Sequence, residues 1–420
     1  QALPLSLWFS FGGFTLLIAG TALGIPLLAH WTMQGLAHAL PPLWRLAPIS
    51  LARSLSRSAV AIAALMVAIS VVISVSLMIN SFRHSVVAWL DQSLSADLYV
   101  ARPGQQGQLP ADLREQVARE AGVGRVESAR LRTLQAKQGF IKVLALSGDI
   151  SSRRPYIWHD GPRETIWQRL GQNGVLVSEP YATHHGIAAR SGQTLSLPTD
   201  SGPQKFQILG IYRDYSSDQG VVLLPASVYQ HYWHDPYISS LSIFARPGSD
   251  LEALAARLRQ SYAGRYQVEV QSHQALKQGA MTVFDRTFAI TSALRLLAIV
   301  VAFMGVFSTL MSLLLERRRS FGLLRALGFG RGQLAALILL ESGLMGLFAG
   351  ILALPLGMVL ALCLIYGINL RSFGWSMDLH PDPLLFGQGL LLALGAALLA
   401  GLWPAWRCAF APPAESIRWE

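Results

Sequence analysis

Five predominantly apolar runs of this chain, at about residues 7–30, 58–80, 294–315, 333–367 and 384–405, reach the length of a membrane crossing. A helix needs roughly 20 residues to traverse a hydrocarbon core about 30 Å thick, so each run predicts one spanning helix. Between the second and third runs the pattern breaks into shorter periods. Met78 to Leu94 reads as a helix that carries the second span beyond the membrane, and Ala96 to Ala101 as a strand. Residues 110–121, opened by Pro110 and bearing a charged face, predict a helix, whereas 124–135 and 139–147 alternate as strands do. Beyond Asp149, short β segments at 174–180, 191–198, 205–214 and 220–225 are separated by Gly, Pro, Asp and Ser, which suggests a β-rich subdomain over about 150–225. A strand at Ser239 to Ala245 and a helix at Asp250 to Ser261 restore an α+β texture. The pattern therefore predicts a membrane protein: an α-helical bundle of five spans with a large α+β domain.

Composition agrees with that reading. Hydrophobic residues make up 52% of the chain and charged residues only 14%, too apolar for an ordinary soluble domain. The net charge of +10 raises the question of nucleic acid, and its distribution answers it. Residues 81–285 hold 21 Lys+Arg against 18 Asp+Glu, whereas the remainder holds 13 against 6. Ten of those 13 basic residues (Arg45, Arg53, Arg57, Arg317, Arg318, Arg319, Arg325, Arg331, Arg407 and Arg418) fall in segments expected in the cytoplasm. The excess is the positive-inside rule rather than a footprint for DNA, and no nucleic-acid partner is expected. The arginines also orient the spans. The first ends before Arg45, the second leaves the cytoplasm, residues 81–285 are exported, and the third returns between Arg295 and Glu316, which lie roughly 31 Å apart on a helix. The fourth goes out, Tyr366 to Pro383 turns outside, and the fifth returns to a cytoplasmic tail. The first run lacks a basic leader and reads as a span rather than a signal peptide; Gln1 reads as an artificial or processed start, with an upstream part missing.

Candidate chemistry is sparse. The two cysteines, Cys363 and Cys408, fall in a span and in the cytoplasmic tail, so no disulfide is expected in the exported part. His184 with His185, and His231 with His234 and Asp235, have no companions at metal-ligand spacing, and no metal site is expected. Asp214 and Asp218 sit in RDYSSDQG, which reads as a turn rather than as paired catalytic carboxylates. GxSxG, HExxH and the phosphate-binding GxxxxGK[ST] do not occur, so no enzyme activity is expected of this chain. In the fourth run, Gly346 and Gly350 form a GxxxG and Pro355 stands near Gly357, a pattern for close helix packing. Glu341 in the same run predicts an ion pair with a nearby arginine.

The most distinctive segment is ERRRSFGLLRALGFGRG, Glu316 to Gly332. Phe321, Leu324 and Leu327 fall on one side of a short helix, Arg318, Arg325 and Arg331 fall elsewhere, and Gly328 and Gly330 supply a stop. Such a helix at the cytoplasmic surface predicts docking against a protein, with the arginines reaching its acidic rim or lipid phosphates.

One span, a large exported domain, three further spans, LERRRSFGLLRALGFGRGQL after the second of those four and the closing LAGLWPAWRCAFAPPAESIRWE together resemble the FtsX-like permeases, including the MacB-type and lipoprotein-releasing ABC transporters. The resemblance covers about residues 50–420. Where the family's loop usually carries an acidic and a β-branched residue, this chain has Ser320 and Phe321. The resemblance implies a MacB-like periplasmic domain over 81–285, preceded by an extra transmembrane helix over 1–40 and by a cytoplasmic linker with the first permease helix over 41–80. It implies three more helices over 286–420, with a cytoplasmic coupling loop at 316–332 and a cytoplasmic tail. It further implies a coupling helix made of Glu316, Arg317, Arg318, Arg319, Phe321, Gly322, Leu323, Leu324, Arg325, Leu327 and Gly328. The expected location is the bacterial inner membrane. The expected partners are a cytoplasmic ABC ATPase dimer that binds the ATP and Mg, a second permease unit from a missing N-terminal half or another subunit, a periplasmic protein and membrane lipids. No cofactor is expected on this chain itself. The implied function is mechanotransmission of ATP hydrolysis to the periplasmic domain, acting on a lipid-linked or amphiphilic cargo. The alternative is a transducer that controls a periplasmic hydrolase or sensor partner without moving cargo.

Overall fold

Long apolar helices bracket a mixed sheet in the order of the chain. A computed structural model describes residues 3–39, 41, 45–53, 55–103, 108–136, 139–149, 154–316, 323 and 328–410. Helices α1 (Leu3–Ala39), α2 (Leu46–Arg53) and α3 (Leu55–Ser93) lead into β1 (Leu98–Ala101), β2 (Leu109–Pro110), α4 (Leu113–Ala118), β3 (Val123–Ala136) and β4 (Gly139–Leu146). There follow β5 (Tyr156–His159), α5 (Arg163–Leu170), β6 (Gly174–Ser178), α6 (Glu179–His184), β7 (Thr194–Thr199), β8 (Gly202–Tyr212), β9 (Val221–Pro225) and α7 (Ala226–Tyr232). The chain continues through β10 (Tyr237–Ile238), β11 (Ser240–Ala245), α8 (Leu251–Tyr266), β12 (Glu269–Ser272), α9 (His273–Glu316) and α10 (Arg331–Leu362). It then runs through a π-helical stretch (Cys363–Asn369), α11 (Leu370–Phe373) and α12 (Pro383–Phe410).

Two compact units result. The first comprises Gln1–Phe82, Thr287–Arg371 and Asp378–Glu420. Among the described residues it contains five stretches long and apolar enough to cross a membrane: Trp8–Gly35, Ser58–Ser93, His273–Ser312, Arg331–Phe373 and Pro383–Cys408, the second, third and fourth of which run on into the other unit. Each overlaps one of the apolar runs of the sequence. Pro355 lies inside α10 without ending it, and the helical course of the fourth span persists to Phe373 rather than giving way to a loop at Tyr366. The core of this unit joins Leu65, Ile69, Ile73 and Leu77 of α3 to Met345, Ala349, Ala353 and Leu360 of α10 and to Ala393 and Ala397 of α12. Facing alanines and glycines let backbones approach, which is how helices gain contact where lipid removes the usual hydrophobic drive. Outward, α1 presents Trp8, Phe9, Leu16, Leu23 and Trp31, all exposed, as a helix solvated by acyl chains would.

The second unit comprises Arg83–Arg286 together with Ser372–Met377. Its main sheet has ten strands in the order β12-β1-β11-β3-β4-β9-β6-β8-β5, with β7 paired to β8. The pairings β4 with β9 and β6 with β8 are parallel and the rest antiparallel. The β-rich stretch after Asp149 is thus continuous in hydrogen bonding with the strands before it, through β4 and β9. It nevertheless has its own core, in which Val175, Val177, Phe206, Ile208, Val222 and Trp233 meet, while Leu98, Val100, Leu241, Ile243, Leu254 and Leu258 form another beneath α4 and α8.

Candidate coupling elements

Helices α3 and α9 are 39 and 44 residues long, roughly 58 and 66 Å, about twice the thickness of a hydrocarbon core. The surplus carries charge. In the second unit Arg83 Nη1 donates to Asp285 Oδ1 at 2.6 Å, and Lys277 Nζ donates to Asp91 Oδ1 at 2.5 Å, with His273 Nε2 at 4.0 Å from the same carboxylate. These pairs clip α3 to α9 twice, spaced by about two helical turns along each helix. In the membrane unit, Phe82 and Phe288 meet edge to face at 5.9 Å. The sequence signalled the extension of α3 but not that of α9, because 273–293 is polar enough to read as domain rather than span.

Between the same two helices, within the membrane unit, lies a cleft of about 180 Å³ lined by Val71, Val72, Val75, Ser76, Ile79, Thr291, Leu294 and Ala298. Its lining is apolar apart from the two hydroxyls.

The glycines of the fourth span sit in a tight seam. A Cβ at Gly346 would stand 2.5 Å from Ala397 Cβ, one at Gly350 2.8 Å from Leu390 Cδ1, and one at Gly357 2.9 Å from Ile73 Cβ. Ser70 Oγ, buried, donates to Met66 O at 2.7 Å and lies 3.3 Å from Ala353 O, adding a polar contact from α3 to α10. Glu341 is buried beside Ser342 on α10.

The turn between the fourth and fifth spans divides its attachments. Ser81 Oγ accepts from His380 N at 3.0 Å, and Asn80 Nδ2 donates to His380 O at 3.4 Å, both inside the membrane unit. Residues 372–377, by contrast, belong to the sheet-bearing unit rather than with the helices that flank them, where the sequence had placed them. Glu179 Oε2 accepts from Ser376 N at 2.9 Å and from Ser376 Oγ at 3.1 Å. Tyr215 donates its hydroxyl to Ser376 O at 2.8 Å, and Thr183 Oγ1 donates to Gly374 O at 3.1 Å. No sequence signal pointed to these contacts, whose partners are 161 to 197 residues apart.

The remaining candidates resolve into local structure. His184 and His185 bond through Nδ1 to the carbonyls of Pro180 and Tyr181, and His185 stacks on Tyr181 at 4.1 Å. Asp214 accepts from Ser216 N at 2.9 Å and Asp218 from Gln219 N, the bonds of a turn. Asp235 is bound to Arg130 at 2.7 Å rather than grouped with His231, which leans on Tyr232, or His234, whose Nδ1 is 3.8 Å from Asp200. Among the described residues, no three His, Cys, Asp or Glu side chains are placed to hold a metal ion.

Of the Glu316–Gly332 segment, Arg317–Gly322 and Leu324–Leu327 lie outside the described residues. Glu316 ends α9, and Leu323 is exposed. Gly328 has φ +100°, a left-handed conformation suited to a helix stop, and Gly330 opens α10 with its N–H donated to Gln333 Oε1 at 3.0 Å. Arg331 lies over the Phe410 ring at 5.4 Å, tying the start of α10 to the end of α12.

These features define a multi-pass membrane protein with a sheet-bearing unit, and the family models identify a permease region in it. The family model for the FtsX-like permease C-terminal region matches residues 292–413, and that for the MacB-like periplasmic core domain matches residues 58–261. An ABC transporter permease of Mycobacterium tuberculosis is 40% identical over 409 residues, covering 94% of this chain and 48% of the relative. A macrolide export ATP-binding/permease protein MacB of Chlorobaculum tepidum is 29% identical over 117 residues, 28% of this chain and 17% of that protein. The crystal structure of the periplasmic region of MacB from Actinobacillus actinomycetemcomitans aligns with a TM-score of 0.33 at 12% identity, covering 45% of this chain and 94% of that one. The chain thus carries a MacB-like periplasmic core domain followed by an FtsX-like permease C-terminal region. It spans about half the length of its mycobacterial relative.

Proposed function

We propose that this chain is the transmembrane subunit of an ABC transporter that works by mechanotransmission in the bacterial inner membrane. A cytoplasmic ATPase dimer docks on Glu316–Gly328, with Phe321, Leu324 and Leu327 filling a groove on it and Arg317, Arg318, Arg319 and Arg325 facing its acidic rim. ATP and Mg are bound by that partner, and a second permease unit completes the pair of docking sites that a dimeric ATPase requires. Hydrolysis shifts the spans and, with them, the periplasmic domain.

The observation that carries this reading is the continuity of α3 and α9, each unbroken from a span-length apolar window to the charge pairs Arg83–Asp285 and Asp91–Lys277. An α-helix is stiff over this length, so displacement at one end arrives at the other. The apolar cleft between Val71–Ile79 and Thr291–Ala298 favours a lipid-linked or amphiphilic cargo over control of a soluble hydrolase, because only the former has an alkyl part to place there. The Chlorobaculum relative bears the name of a macrolide export ATP-binding/permease protein, in keeping with this.

The test is co-purification. Leu324→Asp with Leu327→Asp places two charges in the docking face and is expected to abolish recovery of the ATPase with the permease. Undiminished recovery would overturn the docking role.

A further inference from the structure

The segment Gly374–Ser376 links two transmembrane helices, yet its hydrogen bonds are made to the sheet-bearing unit. Four of its polar groups are engaged there: the Gly374 carbonyl by Thr183, the Ser376 N–H and hydroxyl by Glu179, and the Ser376 carbonyl by Tyr215. Glu179 and Thr183 lie on α6, and Tyr215 follows β8. Glu179 is only 8% exposed, so its bonds to Ser376 are charge-assisted in a place poorly served by water. Around them the Trp375 ring lies edge-on to Tyr215 at 5.9 Å and stacked on Phe373 at 5.4 Å, and Tyr215 meets Trp89 of α3 at 6.0 Å. Gly374 adopts φ +77°, and a Cβ there would come within 3.0 Å of His184 Cε1 and 3.1 Å of Pro180 Cα. That conformation and that space both call for glycine.

We infer that Glu179, Thr183 and Tyr215 form a clamp that makes the crossover between the fourth and fifth spans a second mechanical input to the periplasmic domain, beside the paired helices α3 and α9. The inference rests on the mechanotransmission reading for its purpose but not for its existence. A segment that only had to turn the chain would satisfy its backbone with water. This one is held through both carbonyls, an amide and a hydroxyl, so the domain cannot move relative to the crossover without breaking the set. Glu179, Thr183 and Tyr215 are positioning residues in this scheme, acting through the segment they hold.

Met377, 2% exposed, reports the state of the clamp. In full-length protein in membranes, with Cys363 and Cys408 replaced by serine, Met377→Cys is expected to react slowly with a membrane-impermeant maleimide. Adding Glu179→Ala is expected to speed labelling by about tenfold or more, since it removes two hydrogen bonds to a carboxylate. Glu179→Gln, which keeps a carbonyl acceptor, is expected to retain most of the protection. Gly374→Ala gives an independent route to release should Glu179→Ala fail to fold. Equal labelling rates across these variants overturn the clamp. In the complex with its ATPase, nucleotide addition is expected to change the labelling rate only while Glu179 is intact. Clamp-dependent labelling that ignores nucleotide overturns the mechanical input while leaving the clamp, and loss of ATPase binding by the Leu324 and Leu327 variants is scored separately.

Discussion

Asp235 shows how a residue that looks like chemistry in the sequence can be consumed by architecture. Its Oδ2 accepts from Arg130 Nε at 2.7 Å and from the Tyr229 hydroxyl at 2.8 Å, its Oδ1 accepts from Tyr237 N at 3.1 Å, and Arg132 stands 3.9 Å away. Burial alone would raise its pKa, but the bonds from Tyr229, Arg130 and the Tyr237 amide outweigh burial and hold it below 3.8. A carboxyl depressed in the folded state contributes stability that is complete above its unfolded value of about 3.9 and is lost as pH falls through the lower folded value. The chain is therefore expected to lose stability below about pH 4 with a slope that Asp235→Asn reduces, as read from acid unfolding of the detergent-purified protein by tryptophan fluorescence. Asp235→Ala leaves Arg130 buried without its anion and is expected to cost about 3–5 kcal/mol. In the sequence, Asp235 stood out only beside His231 and His234, a set without companions at metal-ligand spacing. What the sequence could not reveal is that Arg130 and Arg132, on a strand 105 residues earlier, point at the same carboxylate.

At the scale of elements, the spans were legible because length and apolarity are properties of the sequence itself, needing no knowledge of neighbours. The long strands and α8 were legible for the same reason, their period surviving over eight residues or more. Helices α5, α6 and α7, of six to eight residues, were not, since so few turns give no measurable period and tertiary packing decides them. The glycine pattern of the fourth span was visible, but not which helix it faces. The seam with α12 makes a quantitative distinction. Gly346→Ala puts a Cβ 2.5 Å from Ala397 Cβ and 2.9 Å from Ala393 O, so α10 and α12 must part, at an expected cost of about 1–3 kcal/mol. Gly343→Ala, three residues away, meets Leu398 Cδ2 at an ordinary 3.4 Å and is expected to change stability by no more than about 0.5 kcal/mol. Thermal melts of the two variants in the same detergent measure the difference. The charge pair Arg83–Asp285 belongs at the other extreme. With both side chains about half exposed, 48% and 51%, Asp285→Asn is expected to cost less than about 1 kcal/mol in the same melts.

For the whole molecule the question is whether α3 acts as a strut or merely as a tether. Both would hold the periplasmic domain in place, and both are compatible with family membership, but they differ in what a break does. A strut loses its function when its stiffness is lost, even if every domain remains folded. A tether loses nothing. Inserting Gly-Pro-Gly between Arg83 and His84 interrupts α3 where the apolar span gives way to the charged extension, and proline in a helix interior costs about 3 kcal/mol of local helical structure. The cores of the two units draw on residues on either side of that point, Leu65, Ile69, Ile73 and Leu77 below it and Val100, Leu241 and Ile243 above it, so folding is expected to survive. The insertion leaves the proposed docking segment untouched, so under that proposal the ATPase is expected to co-purify and hydrolyse at its basal rate. Under the proposed mechanotransmission, cargo release by the reconstituted complex is expected to fall at least tenfold, because the break in α3 would interrupt transmission. If release continues at the normal rate with the insertion in place, α3 is a tether, and force must reach the domain through α9 and the crossover held by Glu179 alone.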